Sequence, residues 1–114
     1  MRVQTGDAME STRQKKVARL IQKELAVILH RKGNELAPGR LISVTVVRMS
    51  PDLSLAKVYL SIFPAGDKTG VLDIIKDHSG RIRFELGRKI RTQLRIVPEI
   101  AYFIDYSIDY IYNI

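Results

Sequence analysis

The sequence predicts an α+β domain in which a three-stranded sheet is covered on one face by three helices. Two stretches, Leu41 to Met49 and Leu55 to Phe63, are rich in β-branched and apolar residues in alternation and flank a Ser50-Pro51-Asp52 turn, as an antiparallel hairpin requires. Elsewhere the apolar residues recur at helical spacing. Two of the helices so marked fall between the second and third strands, so the third strand returns by a crossover and runs parallel to a neighbour. The order is helix, strand, strand, helix, helix, strand. At 114 residues the chain fits one domain, large enough to bury roughly two-thirds of the surface its unfolded form exposes. We divide it into a mobile N-terminal arm (residues 1–11), a folded domain (12–108) and a C-terminal tail (109–114).

The arm is polar and lacks an apolar period. Ser11 or Thr12 can cap a long amphipathic helix running to about Lys32, with Val17, Leu20, Ile21, Leu25 and Ile28 on its apolar side and Arg13, Lys15, Lys16, Arg19 and Lys23 mostly elsewhere. Gly33 and Asn34 are expected to stop it. Glu24 interrupts the apolar stripe and is expected to find a structural ion pair. In the second strand Ala56, Val58, Leu60 and Ile62 share one side, and Lys57, Tyr59, Ser61 and Phe63 the other. Pro64 to Gly66 end that strand, and Val71, Ile74 and Ile75 mark a short helix to about His78. Ser79-Gly80 reads as a kink before the next helix, which Pro98 is expected to break. Ile100 to Ile108, rich in Tyr, Ile and Phe, is the third strand.

Nineteen basic residues against twelve acidic ones give a net charge of +7, which favours polyanionic partners, nucleic acid first and anionic membrane second. There are no cysteines, which removes disulfides and thiolate chemistry and suits a reducing cytoplasm. No apolar run approaches the ~20 residues of a membrane span. A basic amphipathic first helix could lie on lipid, but its apolar side has a sheet to cover, so no membrane partner is expected. His30 and His78 belong to different elements, no acidic pair has catalytic or metal-ligand spacing, and Ala65 to Gly70 lacks the glycine that a phosphate loop places before its lysine. The reading is therefore not an enzyme, and no cofactor or metal is expected.

The stretch from Asp77 to Val97 carries the functional signal. At ~100° per residue, Ile82, Leu86 and Ile90 line one side of a helix while Arg81, Arg88, Arg91 and Arg95 gather opposite. Arginine presents planar, permanently charged forks suited to phosphate oxygens. The candidate RNA-binding residues are Ser79, Gly80, Arg81, Arg88, Lys89, Arg91 and Arg95, together with Arg13, Lys16 and Lys23 of the first helix. Ser79 and Gly80 would add a hydroxyl and free helix N–H groups. Phe84 is the only aromatic near this face, since Tyr59, Phe63, Tyr102, Phe103 and Tyr106 read as sheet and core, so recognition is expected through backbone and shape with little base reading.

Four stretches together, Arg13 to Leu25, Val44 to Leu53, Ala56 to Ile62 and Leu94 to Asp105, make the chain resemble the bacterial ribosome-binding factor A family over nearly everything from Thr12 to Ser107. The resemblance implies a K-homology-like domain of the type II topology. It also implies a kink at His78-Ser79-Gly80, where the family has Ala-x-Gly, with His78 as the departure. For function it implies a non-catalytic, cytoplasmic assembly factor, monomeric when free. Such a factor binds the immature 30S ribosomal subunit through its 16S rRNA and assists late maturation, including 5′-end processing and adaptation to cold, with assembly GTPases among its partners. The alternative is a general basic RNA-binding or protein-interaction module acting elsewhere in translation, with the aromatic tail as its contact surface.

Overall fold

A computed structural model describes residues 10–107. The arm predicted before Glu10 and the tail after Ser107 lie outside the described residues. Helix α1 (Thr12–Leu36) opens with a reciprocal cap. Ser11 Oγ accepts from Gln14 N (3.0 Å), and Gln14 Oε1 accepts from Ser11 N (2.7 Å), which satisfies donors that the first turn leaves free. The Gln14 amide also donates to the Met49 carbonyl (3.0 Å), tying the helix start to the sheet. Ile21, Leu25 and Ile28 are fully buried. The helix passes through Gly33 and Asn34 rather than stopping there. Gly33 is a packing residue: a Cβ there would lie 3.2 Å from Ile42 Cδ1. The stop comes from Pro38, whose ring disfavours helical geometry at Ala37 (φ −142°, ψ 78°).

Strands β1 (Leu41–Met49) and β2 (Leu55–Phe63) form the expected antiparallel hairpin. Its turn is held by Asp52, whose Oδ1 accepts from Ser50 Oγ (2.8 Å) and Ser54 N (3.1 Å). A register shift between Val44 and Val46 makes Thr45 a bulge. The Gln22 amide of α1 donates towards the carbonyls of Val44 (3.4 Å) and Thr45 (3.2 Å) there. Strand β3 (Glu99–Ile104) pairs parallel with β2, giving the order β1-β2-β3. It ends before the predicted Ile108 because Asp105 turns the chain: its Oδ1 accepts from Ser107 N (2.9 Å) and Ser107 Oγ (2.7 Å). Its other oxygen accepts from Thr45 Oγ1 (2.6 Å), and these bonds hold the Asp105 carboxyl below the usual carboxylate range.

Between β2 and β3 run α2 (Lys68–Asp77) and α3 (Ser79–Ile90), separated only by His78. In α2 the buried residues are Val71, Leu72 and Ile75. Ile74, expected on that stripe, is exposed, and Leu72 takes its place. The helices cover the sheet face that carries Ala56, Val58, Leu60 and Ile62, all buried. Truncating one of the larger of these to Ala would cost about 2–5 kcal/mol. Among the described residues no helix covers the opposite face, which carries Lys57, the half-buried Tyr59 and exposed Phe63 and Phe103, with the rings of Tyr59 and Phe103 stacked at 5.3 Å.

Candidate nucleic-acid interface

Helix α3 buries Ile82, Leu86 and Ile90 completely, which turns Arg81, Arg88 and Lys89 outward. It stops at Ile90, well before Pro98. There the chain turns on the Ile90 carbonyl, which accepts from Gln93 N (2.8 Å) and Leu94 N (2.9 Å). Leu94 folds back, half-buried, against the core. Arg91 is therefore the C-cap of α3, and Arg95 lies on the following segment rather than on the helix.

That segment lies along α3 and completes an open groove of about 490 Å³, bordered by Phe84, Arg88, Arg91 and Arg95 with Gly80 and Gly87 on the helix surface. Gly87 permits the close approach, since a Cβ there would sit 3.1 Å from Val97 Cγ2. Arg83 fastens it, donating from Nε to the Pro98 carbonyl (2.9 Å) and from Nη2 to the Val97 carbonyl (2.6 Å). The same guanidinium lies 3.7 Å from the Glu99 carboxylate.

The acid of α3 is consumed elsewhere. Glu85 pairs with Lys32 (2.8 Å) and Arg31 of α1, and these two cations, Lys32 foremost, hold its carboxyl down to about 2. Among the described residues no ion pair neutralises Arg81, Arg88, Lys89, Arg91 or Arg95. The groove is thus left with its positive charge.

Of the residues singled out in the sequence, the structure gathers Gly80, Arg88, Arg91 and Arg95 on one groove. Lys89 shares a shallow hollow of about 300 Å³ with Arg88 and Glu85. Arg13 lines an adjoining hollow of about 260 Å³ that shares Leu94 and Arg95 with the groove. Arg81, Lys16 and Lys23 are exposed but line none of these hollows. The kink differs from the expectation. Gly80 has no positive φ, and a Cβ on it would meet nothing within 4 Å. The bend is made by His78 (φ −101°, ψ 11°), whose backbone needs no glycine. Its imidazole is exposed, with Nδ1 2.9 Å from the Ile74 carbonyl in the last turn of α2. Ser79 is half-buried at the first position of α3, ahead of the first bond within that helix, Ile82 N to the His78 carbonyl (3.0 Å).

Glu24 is half-buried and, among the described residues, has no ion pair, contrary to expectation. Sequence reasoning missed Arg83 and Gly87 as groove residues, and placed Phe84 near the basic face without counting it as a contact. A signal was present, for Gly80, Phe84 and Gly87 stand at i, i+4 and i+7 on one helical side. Among the described residues no group of three or more His, Asp or Glu side chains could hold a metal ion, and no helix is long and apolar enough to cross a membrane.

A three-stranded sheet with helices on one face and a basic groove beside its paired helices defines a small K-homology-like domain of the type II topology. The chain belongs to the ribosome-binding factor A family, whose model matches residues 13–114. Ribosome-binding factor A of Cytophaga hutchinsonii is 53% identical over 102 residues, covering 90% of this chain and 77% of the relative. The crystal structure of ribosome-binding factor A from Thermus thermophilus superposes with a TM-score of 0.68 at 21% identity, covering 80% of this chain and 94% of that one. A homology model of the Thermus thermophilus factor, fitted into a cryo-EM map of a 30S–RbfA complex, matches with a TM-score of 0.58 at 21% identity, covering 86% of this chain and 97% of that one.

Proposed function

We propose that the chain is a non-catalytic assembly factor that binds the immature 30S subunit through its 16S rRNA, with the α3 groove taking the RNA backbone. The observation that carries the reading is the set of arginines around the groove, Arg88, Arg91 and Arg95, for which no described residue supplies a counter-charge. Phosphate would supply it, and displacement of condensed counterions would drive binding. Family membership supports the subunit as target, as does the 30S complex named for the Thermus thermophilus factor. Within this reading Ser79, Arg81, Lys89 and Arg13 border the contact, and Lys16 and Lys23 extend it along α1. The factor acts in the cytoplasm during late maturation, including 5′-end processing and growth in the cold, is monomeric when free, and meets assembly GTPases on the subunit.

The test is copurification of the chain with subunit precursors, with Arg88→Ala and Arg91→Ala variants alongside. Each variant should bind more weakly and lower the salt dependence by roughly 0.7 per lost contact if the strand is single. Retained precursor binding with an unchanged salt slope in both variants would refute this face. Association with other translation components in place of the precursor would favour a general RNA-binding or interaction module.

A further inference from the structure

We propose that Phe84 is a stacking platform for one unpaired base, so that the groove takes single-stranded RNA in preference to duplex. The inference rests on the reading of the groove as an RNA site and adds a base contact to it.

Phe84 is not a core residue. It is 65% exposed, whereas the apolar stripe of its own helix, Ile82, Leu86 and Ile90, is fully buried. On its side of α3 the positions four before and three after it are Gly80 and Gly87, where a side chain would ordinarily lie against the ring. A Cβ at Gly80 would meet nothing within 4 Å, and one at Gly87 would meet only Val97 Cγ2. The ring therefore stands beside two positions without side chains, in a groove of about 490 Å³ with room for a flat group against it.

Around that space are Arg88, Arg91 and Arg95, none with an ion-pair partner among the described residues. An exposed aromatic ring within a ring of guanidinium groups fits an occupant with a flat apolar face joined to an anionic backbone, which is a nucleotide. A surface for phosphate alone gains nothing from the phenyl ring, and an apolar protein side chain gains nothing from the arginines. In an A-form duplex the bases are stacked on one another and cannot reach the ring, so the strand must be single at this point.

The sequence contains no tryptophan, so Phe84→Trp places the chain's one indole at the proposed contact, excited selectively beyond the absorption of the five tyrosines. A single-stranded oligoribonucleotide and the duplex of the same sequence are titrated at one fixed salt concentration against parent, Phe84→Trp, Phe84→Leu and Arg91→Ala, all checked for thermal stability. The single strand should quench the Phe84→Trp fluorescence and the duplex should not. Phe84→Leu should weaken single-strand binding by roughly 5- to 100-fold at an unchanged salt slope, since a stack is lost and no phosphate contact. If Phe84→Leu binds single strands as tightly as the parent while Arg91→Ala binds weakly, stacking is overturned and the basic groove stands. If Arg91→Ala also binds as the parent does, both readings fall. Loss of subunit binding in Phe84→Leu with oligonucleotide binding intact overturns stacking and assigns the ring to a protein contact.

Discussion

Glu85 is one carboxylate shared by a buried lysine and an exposed arginine, and its ionisation makes one contribution to stability depend on pH in the acid range. Its folded pKa, about 2, lies below the ordinary value near ~4.3, so the stabilisation is fully present above about pH 5 and is lost as pH falls towards 2. Glu85→Gln should lower stability at pH 7 by about 1 kcal/mol, with the deficit shrinking towards pH 2. Urea denaturation of both proteins across that range measures it, and a deficit that stays constant with pH would mean the carboxylate's charge is irrelevant. At Gly80 the geometry favours replacement: the residue is helical and the space is open, so Gly80→Ala should raise stability by up to ~1 kcal/mol in a thermal melt. A less stable variant would show that the kink needs glycine after all. The buried side chains were the most legible residues, because Ile82, Leu86 and Ile90, and Ala56 to Ile62 on β2, follow strict periods. Partners were not legible. That Glu85 would meet Lys32, and Glu24 no ion-pair partner among the described residues, depends on how α1 crosses α3, which no local pattern encodes.

At the scale of elements, α3 has two edges with different duties. Arg83 fastens the returning segment, while Arg88 and Arg91 face the groove. Arg83→Ala should therefore destabilise the protein by roughly 1.5–3 kcal/mol through loss of bonds from a charged donor, and loosen RNA binding with its salt slope unchanged. Thermal melts and salt titrations beside Arg91→Ala separate the two roles, and a stable Arg83→Ala protein with a shallower slope would place Arg83 on the RNA. Strand and helix identities were readable throughout, and both hairpin strands have the bounds that the alternation predicts. Helix ends were less so. Pro38 stops α1 three residues past the first glycine signal, because Gly33 fits inside the helix against Ile42. Pro98 does not stop α3, because the chain has already turned on the Ile90 carbonyl eight residues earlier. The groove was half visible in consequence: its arginines follow from composition and period, but its far wall exists only because the chain turns at Ile90.

For the whole molecule, the sheet order has a consequence for how the chain reaches its fold. The central strand β2 pairs on one side with its neighbour across a short turn and on the other with β3, where Leu55 lies opposite Glu99 and the chain between them forms α2 and α3. Closing the second pairing fixes a long stretch of chain before its contacts repay the lost entropy, so β3 should join late. Pulse-labelled hydrogen exchange during refolding would then find amides between β1 and β2 protected before those between β2 and β3. Simultaneous protection, or protection of β3 first, would refute this order. The groove is framed by α3 and by the segment leading into β3, with Arg83 joining them. A chain still waiting for its last strand therefore lacks one bank of the groove, and its arginines are not yet arrayed for phosphate. RNA binding should be among the last properties to appear in refolding, which shields a nascent chain rich in basic residues from binding nucleic acid in the groove's geometry before it is folded.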